Sequence, residues 1–398
     1  MGAIMTLALR GLATKTKCGD KDRGSKVFRL RHPNSWPTDA YRDAALIRTT
    51  ADVASAQAQH FVNAVFLSGD GAERVAEASS FATSFLLPKE FGYLDDGDVV
   101  ALTLPSGRFR TLFRQASSHN AFLVTERCDH YCLMCSQPPK NVDDRWILKE
   151  ISEALPLVDP ATRTIGFTGG EPLLAWKEFT ALLALCRDAL PATVVHVLSN
   201  GRAFRNPDVV SAWESVGHPN LTVGIPIYSS VDHIHDYVVQ AKGAFDETVL
   251  GILRLKDKKQ KVEVRVVLHT KTAPQLPRTC AWIARNLPFV DHVALMGLEN
   301  TGFAIANQDE LWIDPLDYVD QLIEATNILD AAGLRVSIYN LPRCILPRAL
   351  WSFAVQSISD WKNNYLASCE GCVERTNCSG FFSTGRPRYS RGVQAITC

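Results

Sequence analysis

No stretch of this chain stays apolar for the roughly 18 to 20 residues needed to cross a bilayer, and neither sign of charge is in excess: Lys and Arg number 42, as do Asp and Glu. The first absence argues against a membrane-spanning helix. The second removes any chain-wide field that would gather anionic lipid or nucleic acid, because phosphate binding needs a basic stripe. There is no internal repeat and no low-complexity tract, and with 46% apolar and 21% charged residues the composition is that of a globular protein. The opening MGAIMTLALRGLATKTK is interrupted by Arg10 too early to serve as a secretory signal. Its first six residues fit a myristoylation pattern too short to carry weight. The chain is expected in the cytoplasm, with 398 residues giving room for one large core and appendages or for two or three smaller domains.

What the sequence does have is cysteine, eleven residues of it. In a reducing compartment such a count points to metal binding or catalysis before disulfides. Seven fall into two groups, Cys128, Cys132 and Cys135, then Cys344, Cys369, Cys372 and Cys378. Cys18, Cys186, Cys280 and Cys398 stand alone. Cys186 lies in the apolar run FTALLALCRDAL and reads as a buried structural thiol.

From AFLVTERC onward, apolar strand-like runs alternate with segments of helical spacing: TIGFTGG, TVVHVLSN, LTVGIPIY, KVEVRVVLH and DHVALMGLE each precede a helix pattern. Pro207 opens and Gly217 closes one of these helices. Six strand–helix units of this kind predict a parallel sheet covered by helices, either doubly wound or a complete or partial barrel. The chemistry then gathers at the carboxyl ends of the strands. There the cysteine triplet follows the first strand, GGEP the second and SNG the third. Residues 1–115 read differently, as a separate, partly β domain of short strands such as KVFRL and FRTLFR, with a helix inside the mixed stretch at 38–61.

In CDHYCLMC three thiolates can wrap a compact cluster from one loop. Three ligands leave one metal position open, and an open position is where a substrate or cofactor binds. Asp129 and His130 are the nearby candidates for a fourth ligand, and a zinc knuckle or unligated thiols stay open on spacing alone. Gly169 and Gly170 permit close backbone approach to a ligand, and Glu171 offers an acceptor for an ammonium group. Ser199 and Asn200 suit ribose hydroxyls or simply cap a turn. Arg265 shares a strand face with Glu263, Val267 and His269. In so apolar a strand it needs an anion, either a ligand carboxylate or a structural salt bridge. Tyr228 and Glu299 close the fourth and sixth strands and are candidate catalytic residues, while His233, His235 and Asp236 follow Tyr228 in a predicted loop.

The Cys-x3-Cys-x2-Cys triplet after a first strand, followed by Gly-Gly-Glu-Pro at the next strand end, resembles the radical S-adenosylmethionine (SAM) superfamily over roughly residues 118–340. The resemblance implies an α/β fold, a partial (β/α)6 TIM-like barrel at 116–335. It implies that Cys128, Cys132 and Cys135 hold a [4Fe-4S] cluster whose open iron is chelated by SAM, with Gly169, Gly170, Glu171 and Pro172 around the methionine amine. Ser199, Asn200 and Arg265 would serve the rest of that cofactor. The chemistry implied is reductive cleavage of SAM to a 5′-deoxyadenosyl radical that takes hydrogen from a substrate, fed by an external one-electron donor of flavodoxin or ferredoxin type.

Cys344, Cys369, Cys372 and Cys378 make four thiolates, enough to close a site on zinc or on a second iron–sulfur cluster. Within the superfamily this region, 336–398, resembles the twitch or SPASM extension that carries an auxiliary [4Fe-4S] cluster, with Cys398 a candidate additional ligand. The phrases ERCDHYCLMCSQPPK, HVALMGLENTGFA, VSIYNLPRC, SISDWKNNYL and CSGFFSTG resemble the maturase C family of the His-Xaa-Ser peptide system. That implies a ribosomally made precursor peptide as substrate and a companion maturase as partner. A small-molecule or RNA substrate, or a non-catalytic electron-transfer module with closed clusters, are the alternatives.

Overall fold

The computed structural model describes residues 9–18, 24–69, 80–104, 106–356, 364–382 and 388–397; Cys398 and the opening residues of the chain lie outside them. The first half of the fold is a mixed sheet of β1 (Arg10–Leu12), β2 (Lys15–Lys17), β3 (Gly24–Arg31), β4 (Asp43–Ile47), β5 (Asn63–Leu67), β6 (Thr83–Leu87), β7 (Val99–Leu104) and β8 (Arg108–Phe113). Its order is β1-β8-β7-β3-β4-β5-β6-β2, with β3 to β6 parallel and the flanking pairs antiparallel. The stretch at 38–61 holds a helix, α1 (Thr50–Ala58), opened by a reciprocal cap between Thr49 and Asp52. It also holds β4, which the sequence pattern did not announce; all five of its residues are buried, so it has no polar alternation to read.

The second sheet is wholly parallel. Its strands are β9 (Asn120–Leu123), β10 (Thr164–Thr168), β11 (Val194–Leu198), β12 (Leu221–Pro226), β13 (Lys261–Leu268), β14 (His292–Gly297) and β15 (Val336–Tyr339), paired in sequence order. β9 and β15 form its two edges and do not pair, so the barrel is open. The seventh strand, β15, exceeds the six units expected. Between the strands run α2 (Trp146–Ala154), α3 (Trp176–Ala189), α4 (Pro207–Val216), α5 (Asp232–Val239), α6 (Ala244–Asp257), α7 (Leu276–Asn286), the short α8 (Phe303–Ala306) and α9 (Gln308–Leu311), and α10 (Val319–Ala331). α4 starts and stops where expected: Asn206 caps Asp208 N at 2.9 Å, Pro207 sits where no N–H is needed, and Gly217 takes a left-handed φ of 63°.

The two sheets are not separate in packing. Val27, Val99, Ala101 and Phe113 of the first belong to the same apolar core as the parallel strands. Across that seam Arg110 on β8 pairs with Glu150 on α2 and stacks on Trp146, and Ser25 Oγ donates to Glu150 at 2.5 Å. Burial raises the Glu150 pKa and lowers that of Arg110, so each charge depends on the other; breaking such a buried pair costs about 3–5 kcal/mol. Among the described residues no helix is long and apolar enough to cross a membrane.

Candidate functional site

Past Leu123 the pairing of β9 with β10 continues beyond the sheet. Val124 N donates to Thr168 O (2.7 Å), Gly170 N to Thr125 O (2.8 Å) and Glu171 N to Arg127 O (2.7 Å). The Gly-Gly-Glu turn is thereby zipped to the approach of the cysteine loop. A Cβ at Gly169, whose φ is 139°, would lie 2.4 Å from Thr125 O, and one at Gly170 would lie 1.8 Å from Arg127 O. The glycines expected to admit a ligand therefore admit, on their Cβ side, another segment of backbone.

The cysteine loop is held from two further sides. Tyr131 N and Leu133 N donate to Val239 O (3.1 Å) and Val238 O (2.9 Å) at the end of α5, using carbonyls that the helix leaves unpaired. Phe303 N donates to Cys135 O at 2.8 Å, and Asn307 Nδ2 to Leu133 O at 2.8 Å. A Cβ at Gly302 would lie 2.4 Å from Cys135 O. His233, His235 and Asp236, expected in a loop, lie on α5. Asp236 accepts from Gly243 N (2.5 Å) and Phe245 N (2.9 Å), so its carboxylate opens α6 and does not face the cleft.

Cys128, Cys132 and Cys135 line one cleft with Gly169, Gly170, Ser199, Asn200, Tyr228, Arg265 and Glu299, enclosing about 1150 Å³ of space open to solvent. Burial pushes the Cys128 thiol up to about 12 and raises Cys135, and burial with the two neighbouring thiols raises Cys132 further still. A bound metal would compensate thiolates in such a setting. Among the described residues no three His, Cys, Asp or Glu side chains close on a single metal ion, whereas an iron–sulfur cube takes each thiolate at a different iron. Three thiols facing one cleft fit that cube with one iron left over.

Of the two candidates for a fourth ligand, Asp129 is engaged: Asn200 Nδ2 donates to it at 2.6 Å and Arg202 Nη1 at 3.2 Å. His130 is buried and lines the cleft, with no partner for either ring nitrogen among the described residues. Burial lowers it to about 4, so it is a neutral imidazole.

Glu171 and Pro172 do not line the cleft. Glu171 is buried, and its carboxylate accepts from Leu173 N (3.0 Å), Ser199 Oγ (2.9 Å) and Asn200 N (2.6 Å). It ties the Gly-Gly-Glu turn to the end of β11, and three of its lone pairs are spent within the fold; the sequence expectation had it meeting a ligand ammonium. Pro172 starts a 3₁₀ turn, where its missing N–H costs nothing. Ser199 and Asn200 do line the cleft. Their polar atoms are partly spent on Glu171, Gly201 N, Asp129 and Arg202 N.

Glutamine at position 171 would set its amide donor against one of these donors, so Glu171→Gln should destabilise the protein by about 1–3 kcal/mol in urea denaturation. Burial, outweighing the three donors, raises Glu171 to about 7. A carboxyl raised in the folded state contributes stability that is full below its unfolded pKa and lost as pH rises through the folded one. The cluster-free protein should therefore lose stability between about pH 4 and 7, and the variant should not show that component.

Arg265 meets an anion of its own. Its Nε lies 3.4 Å from Glu263 Oε1, and Nη2 lies 3.1 Å from Met296 Sδ at the cleft wall. Glu263 also has His196 Nε2 at 3.3 Å and His292 Nδ1 at 2.6 Å, and His292 Nε2 reaches Ser337 Oγ at 2.9 Å. Burial opposes ionisation of Glu263, but the two imidazoles and the guanidinium prevail and hold its carboxyl far below the usual range. The salt-bridge alternative for Arg265 is thus present inside the barrel, while the residue still lines the cleft. His196 and His292 were not legible as partners. Gly224 makes room for the group, since a Cβ there would lie 2.9 Å from His196 Cε1 and 3.1 Å from Arg265 Cδ.

Tyr228 is buried at the cleft wall beside the His235 ring, with its hydroxyl pKa raised by burial. The Glu299 carboxylate accepts from Asn340 Nδ2 at 3.2 Å.

The second cysteine group also converges. Cys344, Cys369, Cys372 and Cys378, from four places in 344–378, line one cavity of about 300 Å³ with Tyr365, Phe381 and Ile396. Ile396 N donates to Cys372 Sγ at 3.4 Å, and the Gln394 backbone amide donates to Cys344. Bonds of this kind stabilise a thiolate that carries metal.

No curated protein matches the chain. Among solved structures, SuiB of Streptococcus suis bound to S-adenosylmethionine is similar at 12% identity and a TM-score of 0.44, over 62% of this chain and 55% of that one. The enzyme anSMEcpe with bound AdoMet is 17% identical at a TM-score of 0.43, over 55% of this chain and 62% of that one. HemN of Escherichia coli, a coproporphyrinogen III oxidase described as a radical SAM enzyme, is 14% identical at 0.42, over 54% and 52%. This chain thus spans between half and two thirds of the length of each. The family model for the Radical SAM superfamily matches residues 122–283, which run from β9 into α7 and include the cysteine triplet and the Gly-Gly-Glu turn. Residues 122–283 carry a Radical SAM superfamily domain.

Proposed function

We propose that this chain is an enzyme that cleaves SAM reductively and uses the resulting 5′-deoxyadenosyl radical to abstract hydrogen from a ribosomally made precursor peptide. The observation that carries this reading is the single cleft at the carboxyl ends of the parallel strands, into which Cys128, Cys132 and Cys135 project beside Gly169, Gly170, Ser199, Asn200 and Arg265. In it the three cysteines would hold a [4Fe-4S] cluster. Arg265, braced by Glu263, would receive an anionic group, and Ser199 and Asn200 would receive hydroxyls. Leu198, Val267, Met296 and Leu298 line the same cleft with apolar surface, which keeps water and other hydrogen donors away from a reactive centre. Tyr228 and Glu299 lie on the substrate side.

We place the barrel core at 116–335, the mixed N-terminal unit at 1–115 and the auxiliary region at 336–398. Cys344, Cys369, Cys372 and Cys378 would close a second [4Fe-4S] cluster. A flavodoxin- or ferredoxin-type donor and a companion maturase complete the proposed system. Peptide specificity rests on the resemblance of the sequence phrases to His-Xaa-Ser maturases.

The test is anaerobic reconstitution with iron and sulfide, then dithionite and SAM, with chromatography for 5′-deoxyadenosine and mass spectrometry of the peptide encoded beside the gene after co-expression. Formation of 5′-deoxyadenosine and a peptide of altered mass are expected; an electron-transfer module yields neither. In the same preparation, Cys369→Ala should lower bound iron by about four atoms per chain without abolishing SAM cleavage. An unchanged iron content there would remove the auxiliary cluster.

A further inference from the structure

Four strands, β11, β13, β14 and β15, contribute to one chain of polar side chains inside the barrel, of which the proposed chemistry calls on Arg265 and Glu263 alone. Glu263 on β13 and His292 on β14 are partners in the sheet register. His292 Nδ1 meets Glu263 Oε2 at 2.6 Å, and its Nε2 reaches Ser337 Oγ on β15 at 2.9 Å. Ser337 in turn shares a hydrogen bond with the Tyr339 side chain. The other carboxylate oxygen, Oε1, is divided between His196 Nε2 at 3.3 Å and Arg265 Nε at 3.4 Å. Glu263 is thus buried and held from three sides, yet it touches Arg265 at one point only.

A carboxylate beside a guanidinium ordinarily takes it at two points, because two N–H groups of one edge match its two oxygens. Here the second oxygen is engaged by His292. The consequence falls on Arg265. Its Nη2 has only the Met296 thioether at 3.1 Å, a weak acceptor, and its Nη1 has no partner among the described residues. Arg265 and Met296 both line the cleft, and the Arg265 side chain keeps 13% of its surface exposed, so a ligand there can reach it. A guanidinium edge left open in this way has the donor geometry for a planar anion with two oxygens.

We infer that His292 is a positioning residue: by retaining one oxygen of Glu263 it keeps that carboxylate from closing onto Arg265 at two points, and so leaves the Nη edge of Arg265 to bind a carboxylate group of a ligand in the cleft. The inference rests on the reading proposed above and names the chemistry that Arg265 accepts. Two ligands of that reading carry a carboxylate, SAM on its methionine portion and the peptide on an acidic side chain or its C-terminus. With His292 removed, the freed oxygen of Glu263 finds its nearest donors on Arg265 and withdraws them from the ligand.

The test uses the full-length, cluster-loaded protein in two arms, equilibrium dialysis of radiolabelled SAM and fluorescence anisotropy of a fluorescein-labelled synthetic copy of the peptide encoded beside the gene. His292→Phe should weaken the carboxylate ligand by about tenfold, the loss of one charge-assisted hydrogen bond. His292→Asn, whose amide N–H falls near the place of Nδ1, should restore affinity to within about twofold of the parent. In a Glu263→Gln background, which has no charge to close on Arg265, adding His292→Phe should change affinity by less than about twofold. A merely structural His292 would lower affinity equally in both backgrounds. Weakening in the SAM arm assigns the carboxylate to SAM, weakening in the peptide arm assigns it to the substrate, and either supports the inference. Unchanged affinity in both arms for folded His292→Phe, or an equal loss with and without the Glu263 charge, overturns it. Far-UV circular dichroism and cluster absorbance monitor folding. If His292→Phe fails to fold, Ser337→Ala, which releases His292 Nε2, decides, with about threefold weakening expected. A parent protein that takes up no SAM and forms no 5′-deoxyadenosine overturns the proposed function and this inference together.

Discussion

Cys132→Ala abolishes 5′-deoxyadenosine formation in the reduced, SAM-supplied protein and lowers its iron by about four atoms per chain; that is the expected result, read by chromatography and iron analysis. Cys132 is the middle thiol of the triplet, and its ionisation is opposed by burial and by both neighbouring thiols, so a bound metal would be what makes it a thiolate. With it gone, two ligands remain on a loop already fixed by Val238, Val239 and Phe303, and that loop cannot re-form around a cube held at two points. His130→Ala, in contrast, should retain SAM cleavage, because the fourth iron must stay available to a ligand. If Cys132→Ala keeps its iron, or if the spectroscopic signature of the cluster changes with His130→Ala while 5′-deoxyadenosine is never formed, the open-iron reading fails.

Gly170→Ala should be nearly as damaging through its effect on the backbone alone. A Cβ there meets Arg127 O at 1.8 Å and Arg127 C at 2.4 Å, atoms of backbone that cannot rotate away. The strands must separate, and the bonds Gly170 N to Thr125 O and Glu171 N to Arg127 O go with them. The expected loss is about 2–4 kcal/mol in urea denaturation, together with poor retention of iron. Gly333→Ala is the control for backbone conformation: its φ is 74° but nothing lies within 4 Å of the added carbon, so it should cost only about 1 kcal/mol. Equal costs for the two substitutions would show that the contact at Arg127 is not tight.

The place of the motifs was legible because crossover geometry is general. If strands are parallel, their carboxyl ends share a face, and Cys128, Gly169 and Ser199 were each written just past such an end. The direction of individual side chains was not legible. Glu171 reads as an acceptor for a ligand until Ser199, 28 residues away, is seen donating to it at 2.9 Å. His235 reads as a loop residue until α5 is seen to offer its last carbonyls to the cysteine loop.

Sequence alone determined the alternation of strand and helix, the caps of α4 and the grouping of the cysteines, since each depends on neighbours within a few residues and on a period of two or 3.6. Tertiary structure decided which groups meet. Asn307 supports Leu133 across 174 residues, Asn200 holds Asp129 across 71, and Glu263 gathers His196 and His292 from two other strands. The order of strands and the helices packed over them set those meetings. A local pattern can say that a side chain faces inward, and only the assembled barrel says what it faces.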